Sequence, residues 1–167
     1  SQLDADLRIP AAQTHFPDPL RLDDISQQIQ ALGGIDTCYG GIGLNGHVAF
    51  NEPPRLLYAQ VSADDFRRSL TRLVPLTPDS IVMNGIRNMG GNLADFPPIG
   101  VTLGMADILA ARRIRLYCPG GAWQRAVLRQ AVLGDEAVSC PVTLLQGHPD
   151  YIIYADQATA APPGAEV

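Results

Sequence analysis

The sequence predicts an α/β fold: a mostly parallel, Rossmann-like sheet covered by helices on both faces. Three observations point there. Short apolar runs at residues 35–39, 73–76, 99–103, 114–118, 142–145 and 151–154 alternate with helical patterns. The runs read as continuous rather than alternating, as in strands buried on both faces. Glycine pairs and prolines punctuate the joints between them. At 167 residues the chain is long enough for one domain with a real core.

Each element has a local reason. Residues 1–22 carry Pro10, Pro17 and Pro19 and read as a connecting segment. Asp23 or Asp24 can cap a helix whose Ile25, Ile29 and Leu32 share one face, with Gly33-Gly34 ending it. Residues 35–39 form a buried strand that runs into a glycine-rich loop. Pro53-Pro54 bars a long helix just after that loop. Ser62-Ala63-Asp64-Asp65 can cap a short helix through Phe66 and Leu70, and residues 73–76 are a strand. Thr77 caps, and Pro78 opens, a helix with the stripe Val82, Ile86 and Met89, closed by Gly90-Gly91. A strand at 99–103, a short helix at 105–111 and a strand at 114–118 follow. Gly120-Gly121 leads into a helix carrying Ala122, Ala126 and Leu133, closed by Gly134. Residues 142–145 and 151–154 are strands, and 157–167, rich in Ala and Pro, are a loose tail.

Composition removes several function classes. Hydrophobic residues make up 46% and charged residues 17%, which is globular rather than disordered. The net charge of −5, with no basic cluster, argues against a nucleic-acid surface. No apolar run reaches the length of a membrane span and the first residues do not read as a signal peptide, so a cytoplasmic location is expected. Cys38, Cys118 and Cys140 lack metal spacing and read as core thiols in a reducing compartment. No metal or cofactor is expected. The chain contains no lysine. It can form no Schiff base, and arginine, backbone N–H groups or hydroxyls must hold any phosphate.

The most informative stretch is Gly41-Ile42-Gly43-Leu44-Asn45-Gly46-His47-Val48-Ala49-Phe50-Asn51-Glu52-Pro53. Its glycines let backbone approach a ligand, His47 can move protons near neutral pH, and Glu52 can orient the imidazole. Gly41, Gly43 and Gly46 also fit G-x-G-x-x-G, but the dinucleotide fingerprint needs a helix at once, and Pro53-Pro54 leaves no room for it. A plain tight turn with a packed histidine is the other reading.

The whole string closely resembles the signature of the glucosamine-6-phosphate deaminase/isomerase family. Further similar segments are Gly34-Ile35-Asp36, Ile99-Gly100-Val101-Thr102-Leu103-Gly104, Gly121-Ala122-Trp123-Gln124-Arg125-Ala126 and Leu144-Leu145-Gln146-Gly147-His148-Pro149. The resemblance implies a sugar-phosphate isomerase/CoA-transferase-like fold, with residues 23–156 as the C-terminal part of one catalytic domain. It implies conversion of a hexosamine 6-phosphate to a ketose 6-phosphate and ammonia. By position, His47 would help open the sugar ring and Glu52 would hydrogen-bond the imidazole. Asn45 stands where many members have aspartate, so it can orient a neighbour but carries no charge. Gly41, Gly43 and Gly46 would lie along the substrate. Arg125 falls at the family's phosphate-binding lysine, and Arg87 lies one residue off a second phosphate-binding arginine.

The family's early phosphate-cradling loop and the segment with the carbon-acid base have no counterpart here. An N-terminal piece of the same fold is therefore the expected partner, beside the sugar phosphate, and a homo-oligomer is compatible. Two alternatives stand beside this reading: a 6-phosphogluconolactonase-like hydrolase, which Glu52 disfavours, and a non-catalytic sugar-phosphate-binding domain.

Overall fold

The structure, a computed structural model, describes residues 4, 7–54 and 60–162. Its elements are α1 (Asp23–Ala31), β1 (Thr37–Gly41), α2 (Ala63–Arg67), β2 (Arg72–Pro75), α3 (Pro78–Met89), β3 (Ile99–Thr102), α4 (Met105–Leu109), β4 (Arg113–Cys118), α5 (Arg125–Leu133), β5 (Tyr151–Ala155) and α6 (Gln157–Ala160). Strands β1, β4 and β5 form a parallel sheet with β4 in the middle. Strands β2 and β3 pair antiparallel as a separate two-stranded unit.

Helix α3 shows how closely local chemistry sets an element. The Thr77 hydroxyl accepts the Ser80 N–H, Pro78 sits in the first turn, and Gly90 ends the helix with φ of 59°. Only a residue without a side chain enters that left-handed region cheaply. Strand β1 starts two residues later than the apolar run suggests. Gly40 and Gly41 are in it, in register with Leu116 and Tyr117 of β4.

One face of the parallel sheet makes the core. Ile114, Leu116 and Cys118 are fully buried against Met105 and Ile108 of α4 and Val127, Leu128 and Ala131 of α5. The opposite face departs from the expected covering on both sides. Tyr39, Tyr117 and Tyr154 lie there in a stacked column, 69%, 47% and 46% exposed. The reason is in β4 itself: Ile-Arg-Leu-Tyr-Cys alternates, with its apolar residues on one face and Arg113, Arg115 and Tyr117 on the other.

Two further expectations change. Residues 142–145 are not a strand but part of a 3-10 turn, Pro141–Leu145, whose five residues are all buried. A short apolar run buried all round has no period to reveal its conformation. The Val142 N–H donates to the Gly46 carbonyl at 2.8 Å, so this turn supports the glycine loop from behind. The tail expected over 157–167 is, in its first part, helix α6. Asp156 caps it by accepting the Thr159 N–H at 2.7 Å. Thr159 is 1% exposed, and its hydroxyl accepts the Gly121 N–H at 2.7 Å. Residues 163–167 lie outside the described residues.

Candidate active site

The glycine loop leaves the C-terminal end of β1, where ligands gather in open α/β sheets. No helix follows it among the described residues until α2. The loop is closed on itself: the Gly43 N–H donates to the His47 carbonyl at 2.9 Å and the Gly46 N–H to the Gly43 carbonyl at 3.0 Å. Beyond His47 it turns sharply through Ala49, whose φ of 52° has no parallel among the described non-glycine residues. Asn51, fully buried, donates its amide to the carbonyls of Val48 and Leu103 and ties the turn to the end of β3.

Two glycines in the loop are required by packing. A Cβ on Gly43 would fall 2.1 Å from both Cε1 and Nε2 of His47, so the imidazole lies flat on bare backbone. A Cβ on Gly46 would fall 2.5 Å from the Cys140 sulfur, and the residue's φ is 81°. Gly46 thus packs against the Pro141–Leu145 side, whereas Gly41 and Gly43 line a hollow.

That hollow has a volume of about 360 Å³, within the usual range for small-molecule sites. The loop supplies one wall with Gly41, Ile42, Gly43, Leu44 and His47. Helix α3 supplies another with Ser80, Met83, Asn84 and Arg87, and the stretch after β4 closes it with Pro119, Gly120, Trp123 and Gln124. Gln124 clasps the loop to the stretch after β4. Its Nε2 donates to the Ile42 carbonyl at 2.7 Å, and its Oε1 accepts the Gly120 N–H at 2.6 Å.

His47 sits at the join of the first two walls. Its Nδ1 is 2.7 Å from Asn45 Oδ1, and Asn45 Nδ2 donates to Thr77 Oγ1 at 3.2 Å. The His47 backbone N–H, which can only donate, also points at Asn45 Oδ1 at 3.3 Å; this fixes which way the amide points, and so assigns the proton to Nδ1 and leaves Nε2 with its lone pair. Glu52 stands behind. Its Oε2 accepts the Thr77 N–H at 2.5 Å, while Oε1 lies 3.7 Å from His47 Nδ1. This corrects the expected hydrogen bond from imidazole to glutamate: the amide holds the ring, and the carboxylate acts on it across space. Burial lowers the His47 pKa below its ordinary 6.5, partly offset by the Glu52 charge, so the ring is neutral at pH 7. The carboxylate would stabilise the imidazolium if the ring took up a proton.

The two arginines part company. Arg87 lines the hollow, with its guanidinium 4.8 Å above the Trp123 ring. Arg125 is 7% exposed, donates Nε–H to the Ala158 carbonyl at 2.9 Å, and is not among the lining residues. Sequence reasoning passed over Ser80, Trp123 and Gln124, which meet His47 only in three dimensions. Burial pushes all three thiols up, Cys118 to about 11, so none is poised as a nucleophile. Among the described residues no group of three or more His, Cys, Asp or Glu side chains could hold a metal ion. None of their helices is long and apolar enough to cross a membrane.

A neutral histidine on a glycine loop past a parallel strand, facing an α/β hollow, is a site able to exchange a proton with a small bound molecule. The comparisons narrow this class. A glucosamine-6-phosphate deaminase of Halothermothrix orenii is 35% identical over 161 residues, covering 93% of this chain and 61% of that protein. A solved structure described as a monomeric glucosamine-6-phosphate deaminase of the NagB superfamily superposes with a TM-score of 0.73 at 26% identity, over 84% of this chain and 53% of that one. A 6-phosphogluconolactonase from Trypanosoma brucei shares the fold, with a TM-score of 0.55 at 19% identity over 95% and 57% of the two chains. No family profile matches. The chain is similar to the glucosamine-6-phosphate deaminases along most of its own length, and it spans about 60% of the length of the H. orenii protein.

Proposed function

We propose that the full-length protein converts a hexosamine 6-phosphate to a ketose 6-phosphate with release of ammonia, and that this chain supplies the ring-opening half of the site. One observation carries the reading. His47 is neutral, is fixed through Nδ1 by Asn45, and leaves Nε2 for proton exchange beside the hollow. Opening a pyranose removes a proton from the anomeric hydroxyl and delivers one to the ring oxygen. Nε2 takes the first, the imidazolium stands 3.7 Å from Glu52, and the same nitrogen returns the proton. The 35% identity to a glucosamine-6-phosphate deaminase supports this chemistry over lactone hydrolysis.

The remaining steps call for a further polypeptide, in our reading an N-terminal piece of the same fold. Its docking place is suggested by the tyrosine column on the uncovered sheet face and by Phe16 and Leu20, 83% and 91% exposed. The three free cysteines suit a reducing cytoplasm.

The test is direct. Full-length protein incubated with glucosamine 6-phosphate or galactosamine 6-phosphate should yield ammonia and ketose phosphate in equal amounts. Hydrolysis of 6-phosphogluconolactone with no ammonia from either amino sugar would replace this reading with the lactonase one.

A further inference from the structure

We propose that Arg72, which stands on β2 outside the hollow, is a positioning residue for the His47 loop and acts on it through Asn51. The proposal rests on the proton-transfer reading of His47 above and adds what holds that ring's loop in place.

The turn after His47 needs holding. Ala49 keeps a left-handed backbone, with φ of 52°, and a non-glycine residue stays there only where its surroundings leave it no alternative. On one side of it, the Val48 carbonyl accepts both the backbone N–H and the side-chain amide of Asn51, each at 3.1 Å. On the other side, the Phe50 N–H donates to Thr102 Oγ1 at 3.0 Å. Asn51 is fully buried, and its amide nitrogen is used up by the carbonyls of Val48 and Leu103. That leaves Oδ1 as the remaining handle, and Arg72 Nη1 donates to it at 3.0 Å.

Arg72 and Thr102 face each other in register at one end of the β2–β3 pair. The two-stranded unit thus grips the turn at two consecutive residues, Phe50 and Asn51. Arg72 is itself held in place. The same Nη1 reaches Ser69 Oγ at 3.1 Å and the Leu70 carbonyl at 3.2 Å, and the guanidinium lies 6.0 Å from the centre of the Phe66 ring. These three bonds all go to neutral oxygens, and only that of Asn51 belongs to the loop. A charged donor makes a hydrogen bond stronger than a neutral one would. Glu52 follows Asn51 directly, so one grip sets both sides of the 3.7 Å gap between carboxylate and imidazole. Arg72 is not among the residues lining the hollow, so it has no contact with a bound sugar to lose.

The experiment measures kcat and KM of the full-length protein for glucosamine 6-phosphate, with the His47 pKa read by NMR titration and folding by a urea melt. Arg72→Met keeps the stem over Phe66 and removes the donor. It should lower kcat roughly 10–100-fold with KM within about twofold of wild type, as for a catalytic group displaced by a change outside the site. A looser turn admits water to the buried ring, so the His47 pKa should rise toward 6.5. Arg72→Lys, which can still donate to Asn51 Oδ1, should recover part of both effects. In an Asn51→Ala background Arg72→Met should add nothing to either. Arg67→Met removes a nearby arginine that pairs with Asp64 and Glu136, and should leave kcat and the His47 pKa at their wild-type values. The proposal is overturned if Arg72→Met moves only the urea midpoint, if it lowers kcat as much in the Asn51→Ala background as alone, or if Arg67→Met has the same effect. Should Arg72→Met fail to fold, Arg72→Lys decides: a partial loss of kcat with a raised His47 pKa supports the proposal, and wild-type values of both overturn it. In all these cases ammonia release by the wild type keeps the functional reading intact. A wild type that releases none sinks that reading, and the His47 titration then tests the grip of Arg72 by itself.

Discussion

Gly43→Ala is the sharpest probe of the site, because the substitution adds one methyl group and little else. Gly43 does not occupy the left-handed region, so alanine can adopt its backbone without strain. The new carbon would sit 2.1 Å from His47 Nε2 and Cε1 and 2.5 Å from Cδ2. Non-bonded atoms prefer roughly 3.5–4.0 Å, so the ring must retreat by more than 1 Å. Its hydrogen bond to Asn45, now 2.7 Å, cannot survive that displacement. Stability should fall by about 1–3 kcal/mol, the usual cost of overpacking. Activity should fall about 100-fold or more, since a displacement of this size in a catalytic group costs on that order. The assay pairs ammonia release with a urea melt, so that loss of turnover is read on folded protein. Turnover within threefold of wild type, with the His47 ring resonances unchanged in an NMR pH titration, would refute the argument that Gly43 seats the imidazole.

Three other outcomes follow from the same geometry. Asn45→Asp places a carboxylate where the amide oxygen now meets Nδ1, and should raise the His47 pKa in an NMR titration; an unchanged or lower value would contradict the assigned contact. Because burial lowers the folded His47 pKa below 6.5, the unfolded chain binds more protons as the pH drops. The stability this group contributes is full above pH 6.5 and is lost as pH falls through the lowered value, so His47→Gln should flatten the decline in urea midpoint between pH 7 and 5. Gly46→Ala combines a φ of 81° with a Cβ 2.5 Å from the Cys140 sulfur, and should cost at least about 2 kcal/mol in a denaturant melt; a change under 0.5 kcal/mol, on the order of a surface substitution, would count against the packing described.

Much of this arrangement could be read from the chain, for identifiable reasons. Helix α3 was legible because Thr77, Pro78 and Gly90 act within a few residues of where they stand. The glycine loop was legible because its glycines and His47 stand together in one string at the end of a strand. What escaped depends on distant partners. The Pro141–Leu145 turn is buried on every side, its one polar residue Thr143 included, so no exposed position marks its period. Arg125 reads from sequence as a phosphate ligand at a helix start, but it turns toward the Ala158 carbonyl because α6, expected as a loose tail, docks there. Glu52 was expected to hold the imidazole directly. Asn45 does so instead, since it lies two residues away on the same tight turn while Glu52 is engaged by the Thr77 N–H.

Ala49 carries a consequence for how the loop keeps its shape. A side chain at φ of 52° costs on the order of 1 kcal/mol. Glycine would relieve that tension, but would also free the unfolded chain by a comparable amount, so the exchange is nearly silent in a melting experiment. What the methyl group does is confine the backbone to a single basin. Glycine would open the mirror-image wells beside it, and the segment that carries the His47 ring would behave as a hinge where it now behaves as a sprung clip.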